Sequence, residues 1–170
     1  MPHGREEAGL RFHGVPQEVT LSVIAPLIAL IFGAIGLGGG IYETLIVDRV
    51  WPDNLAIIQP KRGGLDRKRF WIPIHTLYEI ALLASAWTLW SNYTRSWIVA
   101  ALVAHFVSRA WSFAYFIPMA LRFEKLSELD DSERHLARQW TRLSRCRPVL
   151  EAVSIISLGA AILHLGRAVY

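Results

Sequence analysis

A few ionisable residues sit inside stretches of this chain that are otherwise apolar: Glu43, His75, Glu79, His105, Arg109, Glu151 and His164. A charge held at bilayer depth costs roughly 3 kcal/mol or more unless it is paired or faces a wet cavity. The chemistry of the chain is therefore to be sought among these groups. Imidazole, carboxylate and guanidinium side chains brought together can exchange a proton and hold an anion, and imidazole with carboxylate can ligate iron or copper.

Spacing sorts them. At 1.5 Å of rise per residue, Glu79 and Arg109 both lie roughly 13 Å from the basic ends of their apolar segments, and Glu43 and His75 about 6 Å. His75 and Glu79 are one helical turn apart on one face, as are His105 and Arg109, so two helices present matching polar stripes. Tyr42, Tyr78, Trp111, Phe113 and Phe116 are expected to ring a cavity beside them, suited to a flat apolar molecule arriving from lipid. Ser112 and Ser154 can line the same region. Glu151 is expected to complement the start of its helix or to pair with Arg147, and His164 to lie at the opposite interface.

Three functions fit this pattern. His75, Glu79, His105 and Arg109 can form a catalytic group. His75 and His105 can instead hold haem, iron or copper, with Glu43 or Glu79 alongside. The stripe can also carry protons or a small solute, which a chain of this size would do as a homo-oligomer, or the arginine-rich segment can recruit a partner or anionic lipid. Against all three stands a plain alternative, in which a Glu79–Arg109 pair merely locks helices together.

The elements that position these residues are apolar helices. Of 170 residues, 53% are hydrophobic, more than a soluble domain of this size usually carries. Segments 19–47, 70–90, 97–121 and 149–168 are each long enough to cross a hydrocarbon core of roughly 30 Å. They run continuously apolar rather than alternating, which favours helices over a barrel. The expected fold is a single all-α domain, a four-transmembrane-helix bundle with a cytoplasmic amphipathic helical extension.

Charge gives the orientation. Arg5, Arg11, Arg95 and Arg167 are the only basic residues on one side, whereas Arg49, Lys61, Arg62, Arg67, Lys68 and Arg69 follow the first segment. Arg122, Lys125, Arg134, Arg138, Arg142, Arg145 and Arg147 follow the third. The two basic connections are thus expected in the cytoplasm and both termini outside, as in a bacterial inner membrane. Trp51, Trp71 and Trp140 are expected at the inner boundary and Trp87, Trp90 and Trp97 at the outer one. Glu6, Glu7 and Glu18 precede a first segment too long for a signal sequence, so that segment is expected to stay attached.

Between the segments, Asp130 or Asp131 is expected to cap a helix bearing Leu136, Trp140 and Leu143, lying on the lipid surface. Residues 50–60 are expected to form an interfacial or re-entrant piece. Gly36 and Gly40 form a small-xxx-small pair that permits close helix approach. Other classes are excluded. The net charge of +4 is divided between loops rather than gathered on one water-facing surface, which argues against nucleic acid. Gly36 and Gly38 lie inside an apolar helix and make no dinucleotide loop, and the lone Cys146 makes neither a disulfide nor a zinc finger.

From about Gly33 onward the chain resembles the anthrone oxygenase-like family of small four-span membrane proteins. The resemblance rests on Gly40-Ile41-Tyr42 with Trp51-Pro52 after it, on Arg109 and Phe116-Ile117-Pro118, and on Trp140-x2-Leu143-x3-Arg147. Met119, Ala120 and Leu121 depart from it, because a polar residue, often Asn, commonly follows that proline. The resemblance implies oxygenation of an activated aromatic carbon to a quinone without a required cofactor. Such chemistry needs a base and a cation: His75 or His105 would be the base, Glu79 would orient it, and Arg109 would stabilise the resulting anion. Tyr42 and Tyr78 would hold phenolic oxygens, with Trp111 and Phe116 beside the substrate.

Overall fold

The computed structural model describes residues 17–167, with side chains from 22 to 166. Every regular element among them is helical. Helix α1 (Gln17–Tyr42) passes through a π-turn (Glu43–Val47) into α2 (Asp48–Val50). Two 3-10 turns, Leu55–Ile58 and Pro60–Arg62, lead to α3 (Lys68–Leu89). Helix α4 (Arg95–Trp111) continues through a second π-turn (Ser112–Phe116) into α5 (Ile117–Phe123), and α6 (Asp131–Ser144) meets α7 (Cys146–Arg167) at Arg145.

Three helical stretches are long and apolar enough to cross a membrane: Ser22–Val50, Arg95–Phe123 and Asp131–Gly166. They contain three of the four expected segments, apart from the ends of the first and last. The fourth, 70–90, is covered by α3, which has the length at 22 residues but is less apolar. Its Trp71, Pro73, His75, Tyr78 and Glu79 lower the mean hydropathy. The readings that use Arg5, Arg11, Glu6, Glu7 and Ala168, including the placement of both termini, fall outside the described residues.

The long helices form a ring of neighbours, α1 against α3, α3 against α4, α4 against α7 and α7 against α1. Toward the end where α3 meets α4 the core is built of small and aliphatic residues, Ala81, Leu82, Ala86, Leu89, Ile98, Ala101 and Leu158, with Tyr78 and Ala29. A Cβ at Gly33 would lie 3.0 Å from Ile155 and 3.1 Å from Tyr78, and one at Gly39 would overlap the Phe70 ring. Close approach of α1 to α3 and α7 thus depends on Gly33 and Gly39. The expected pair, Gly36 and Gly40, has room for a methyl group in ordinary contact at 3.4 Å.

The opposite, basic end is packed with aromatic residues. Trp51, Phe116, Phe123 and Trp140 form its centre, with Val47, Leu55, Ile58 and Ala137. Two expectations are corrected here. Trp51 and Trp140 are 1% and 2% exposed, so they are core residues and not a boundary belt, because residues 50–60 fold back against α5 and α6. Helix α6 is capped as expected, with the Glu133 backbone N–H donating to Asp130 Oδ1 at 2.7 Å. Its apolar face, however, lies on protein rather than lipid, and Trp140 Nε1 donates to the Phe116 carbonyl at 3.1 Å.

The π-turns have different origins. Pro118 has no N–H and its ring crowds the carbonyl four residues back, and the helix widens before it: the Ile117 N–H donates to the Ser112 carbonyl, five residues back. In the turn after α1 the Asp48 N–H donates likewise to the Glu43 carbonyl, with no proline so close after it as Pro118 is after the other; the next is Pro52. Both basic connections meet at the same end of the helices. Gln59 Nε2 donates to the carbonyls of Glu124 and Leu126 at 3.3 and 2.6 Å, and Arg62 donates to the Ser127 carbonyl at 2.9 Å.

Candidate functional site

The polar stripes of α3 and α4 do meet. Arg109 Nε donates to Glu79 Oε1 at 2.7 Å, which is the pair that equal depth led us to expect. The same carboxylate oxygen lies 3.5 Å from His105 Nε2. On its other side, His105 Nδ1 lies 3.3 Å from Glu151 Oε2 of α7. His105 is 0% exposed and is closed in by the edge of the Tyr78 ring, 4.7 Å away between centroids. Tyr78 is itself fixed through a 2.6 Å hydrogen bond with Ser154 Oγ, which donates to the Ala101 carbonyl at 2.8 Å. An imidazole with a carboxylate oxygen facing each nitrogen can receive a proton from one and pass it to the other.

His75 is placed differently. It stacks on Trp71, with centroids 5.2 Å apart and planes 18° apart, and it faces a notch of about 30 Å³ between α1, α3, α4 and α7. The notch also presents Arg147, Glu151, Ser108, Ser112 and Thr44, with Gly36, Gly40 and Pro148 along the seam between α1 and α7. Thr44 and Ser112 belong to the two π-turns. A widened turn displaces one residue from the 3.6-residue repeat, and here each turn contributes a hydroxyl to the wall. Arg147 donates to Ser144 Oγ at 2.9 Å and lies over the Phe116 ring, 4.5 Å from its centroid. Among the described residues no carboxylate forms an ion pair with it.

Several expected partners are not brought together. Glu43, level with His75 as anticipated, is held by Arg67 at 3.1 Å and by Trp71 Nε1 at 2.8 Å, and reaches His75 only through the Trp71 ring. Glu151 serves His105 rather than Arg147. Tyr42 and Phe113 point outward, 58% and 59% exposed, while Trp111 and Phe116 belong to the aromatic core of the basic end. The expected ring of aromatic residues is therefore not the wall of the notch. Of that group Tyr78 closes in His105, Phe113 lies under the Arg109 guanidinium at 4.6 Å from its ring centroid, and Phe116 lies under Arg147.

The metal alternative fares similarly. The His75 and His105 rings are 6.1 Å apart, but both His105 nitrogens face carboxylates and Glu43 is taken by other donors. Among the described residues no group of three or more His, Cys, Asp and Glu is arranged to hold a metal ion. His164 stacks on Trp97 at 6.0 Å, away from the cluster, as anticipated.

Sequence reasoning named Arg147 only as a possible partner of Glu151 and as a basic residue of the connection, and did not place it in the site. Its spacing of four from Glu151 puts both on one face of α7, and the structure turns that face to the notch instead of pairing the two. The described residues form a helical protein with three stretches long and apolar enough to cross a membrane, and carboxylate, imidazole and guanidinium groups gathered between its helices. No family model, curated protein or solved structure matches the chain.

Proposed function

We propose that this chain is a four-span membrane oxidoreductase of the anthrone oxygenase-like kind, with α3 as the additional span. Both termini lie outside, the basic connections and α6 lie in the cytoplasm, and a bacterial inner membrane is the site. Support for α3 as a span comes from its outward face: Ile72, Ile80 and Trp87 are 64%, 60% and 87% exposed. Such a surface is costly in water and at home in lipid. Trp87, Trp90, Tyr93 and Trp97, all exposed at the end away from the basic loops, suit an interfacial belt.

The observation that carries the functional reading is the convergence of His75, Arg147 and Glu151 on one notch at the foot of the apolar helices. A lipophilic aromatic substrate with an acidic CH2 group would lose a proton to His75, and its carbanion would be stabilised as an enolate beside Arg147. Dioxygen then accepts the electrons, so that CH2 and O2 become C=O and H2O. Glu151, His105 and Glu79 form the route by which the abstracted proton leaves the notch, and Arg109 keeps Glu79 in place. This differs from the assignment made on depth alone, since Arg109 is already neutralised by Glu79 while Arg147 is free to meet an anion. At about 30 Å³ the notch holds a molecule the size of water, so the substrate must part α1 from α7 along Gly36, Gly40 and Pro148.

Oxygen uptake by the detergent-purified protein with anthrone as substrate is the direct test. Turnover should vanish in His75→Ala with the helical circular dichroism unchanged, and fall by about 100-fold or more in Arg147→Gln, the scale of losing one preorganised anion contact. Full turnover in His75→Ala would remove that residue as base. No uptake with anthrone or related hydroxylated anthrones would reject the oxidoreductase reading itself.

A further inference from the structure

A second and larger hollow lies at the basic end, outside the site described above. It measures about 580 Å³ and lies between the connection after α2 and the end of α5. Lys61, Arg62, Lys68 and Lys125 stand around it, with Leu121 and Leu126 on the side nearer the helices. Its acidic residues are already engaged: Glu124 by Lys68 at 3.1 Å and Arg67 at 3.8 Å, and Asp66 by Arg69 at 3.1 Å. Lys61 and Lys125 meet no carboxylate among the described residues, and the Arg62 guanidinium donates to the Ser127 carbonyl and pairs with no carboxylate among them. Three cations are left facing one cleft.

The cleft is held open by the protein's own bonds. Gln59, buried between the two connections, fixes them to each other through its amide nitrogen. Its Oε1 is buried with no donor among the described residues, so the side chain serves the joint between the connections rather than the open surface of the cleft. Depth then identifies the ligand. Leu121 lies within the apolar stretch Arg95–Phe123 and Lys125 stands just beyond it, which is where hydrocarbon gives way to phosphate in a bilayer. The exposed side chains of Phe113 and Ile117 extend the apolar surface from the same helix into the lipid.

We propose that this cleft binds the phosphodiester headgroup of an anionic phospholipid from the adjoining leaflet, with Lys61, Arg62 and Lys125 around the phosphate and Gln59 holding the two connections that carry them. The inference rests on the membrane reading and is independent of the oxygenase reading.

The test is native mass spectrometry of the full chain released from nanodiscs of phosphatidylcholine containing phosphatidylglycerol, with retained phosphatidylglycerol counted. A triple variant, Lys61→Gln with Arg62→Gln and Lys125→Gln, should weaken retention on the order of 100-fold, as expected for three cations near an anionic surface. Arg142→Gln with Arg145→Gln, exposed basic residues elsewhere on the same end, should change it by less than about 2-fold, the level expected of screened, diffuse charge. Equal losses in the two variants would overturn the proposal. So would competition by soluble glycerophosphate as effective as the lipid, which would make the site one for a free anion. Should the triple variant fold poorly, Lys61→Gln and Lys125→Gln taken singly should each weaken retention by about 5-fold. A protein that fails to enter nanodiscs at all would refute the membrane reading, whereas one that enters without preferring phosphatidylglycerol would refute only this site.

Discussion

The two halves of the molecule are packed on different principles. Where α3 turns into α4, alanine, leucine and isoleucine fill the spaces and the helices approach closely, with Tyr78 and Ser154 linked at the deep edge. At the basic end, large rings interlock: Trp51 meets Phe123 at 5.2 Å and Trp140 at 5.8 Å, and Phe116 meets Trp140 at 5.6 Å. Charged groups surround those rings. In lipid there is no hydrophobic gain from bringing helices together, so close contact and hydrogen bonds must hold the first half. With the basic end in water, as proposed, the second half can draw on burial as a soluble domain does. The notch with His75 and Arg147 lies between the two clusters: Arg147 rests on Phe116 of one, and His105, the neighbour of His75, on Tyr78 of the other.

The comparison can be broken most forcefully at Trp140. Its replacement by alanine should destabilise the protein by about 3–5 kcal/mol and expose Trp51 and Phe116, as read by urea unfolding in detergent with tryptophan fluorescence. A loss below about 1 kcal/mol would show that the aromatic end does not behave as a water-excluding core. Arg109→Ala should cost about 3 kcal/mol by stranding Glu79, and Arg109→Lys distinctly less. Equal stability of parent and Arg109→Ala would refute the buried pair. Gly39→Ala, where α1 meets the start of α3, should cost about 1–3 kcal/mol through its collision with Phe70, whereas Gly36→Ala should stay within about 0.5 kcal/mol. If the two glycine variants behave alike, close approach does not distinguish those positions. A local effect is expected at Asp130, where alanine removes the α6 cap at a cost of about 1 kcal/mol, visible as faster amide exchange confined to the first turn of α6.

Legibility followed the same division. Helix positions and the depth at which Glu79 meets Arg109 could be read because rise per residue is fixed and apolar runs are long. The faces could not be read so well. Tyr42 and Phe113 were assigned to a cavity wall by proximity in sequence, but each adjoins or lies within a π-turn, where an extra residue shifts the helical repeat and side chains no longer fall where a 3.6-residue period puts them. Burial of Trp51 and Trp140 was hidden for another reason. Tryptophan near a charged loop is the signature of a membrane boundary and equally of a folded cap, and only the path of residues 50–60 decides between them. The His105–Glu151 contact joins α4 to α7, and helix rotation, which composition does not report, determines whether it forms.

The joint between α6 and α7 leads to a practical consequence. Cys146 is exposed there, is the only cysteine in the chain, and adjoins Arg147 and Pro148 on the notch. A nitroxide or fluorophore attached to the native thiol therefore reports on this joint without any background to engineer away. Its spectrum, followed as a lipophilic aromatic is titrated in, would register separation of the seam as a change in label mobility.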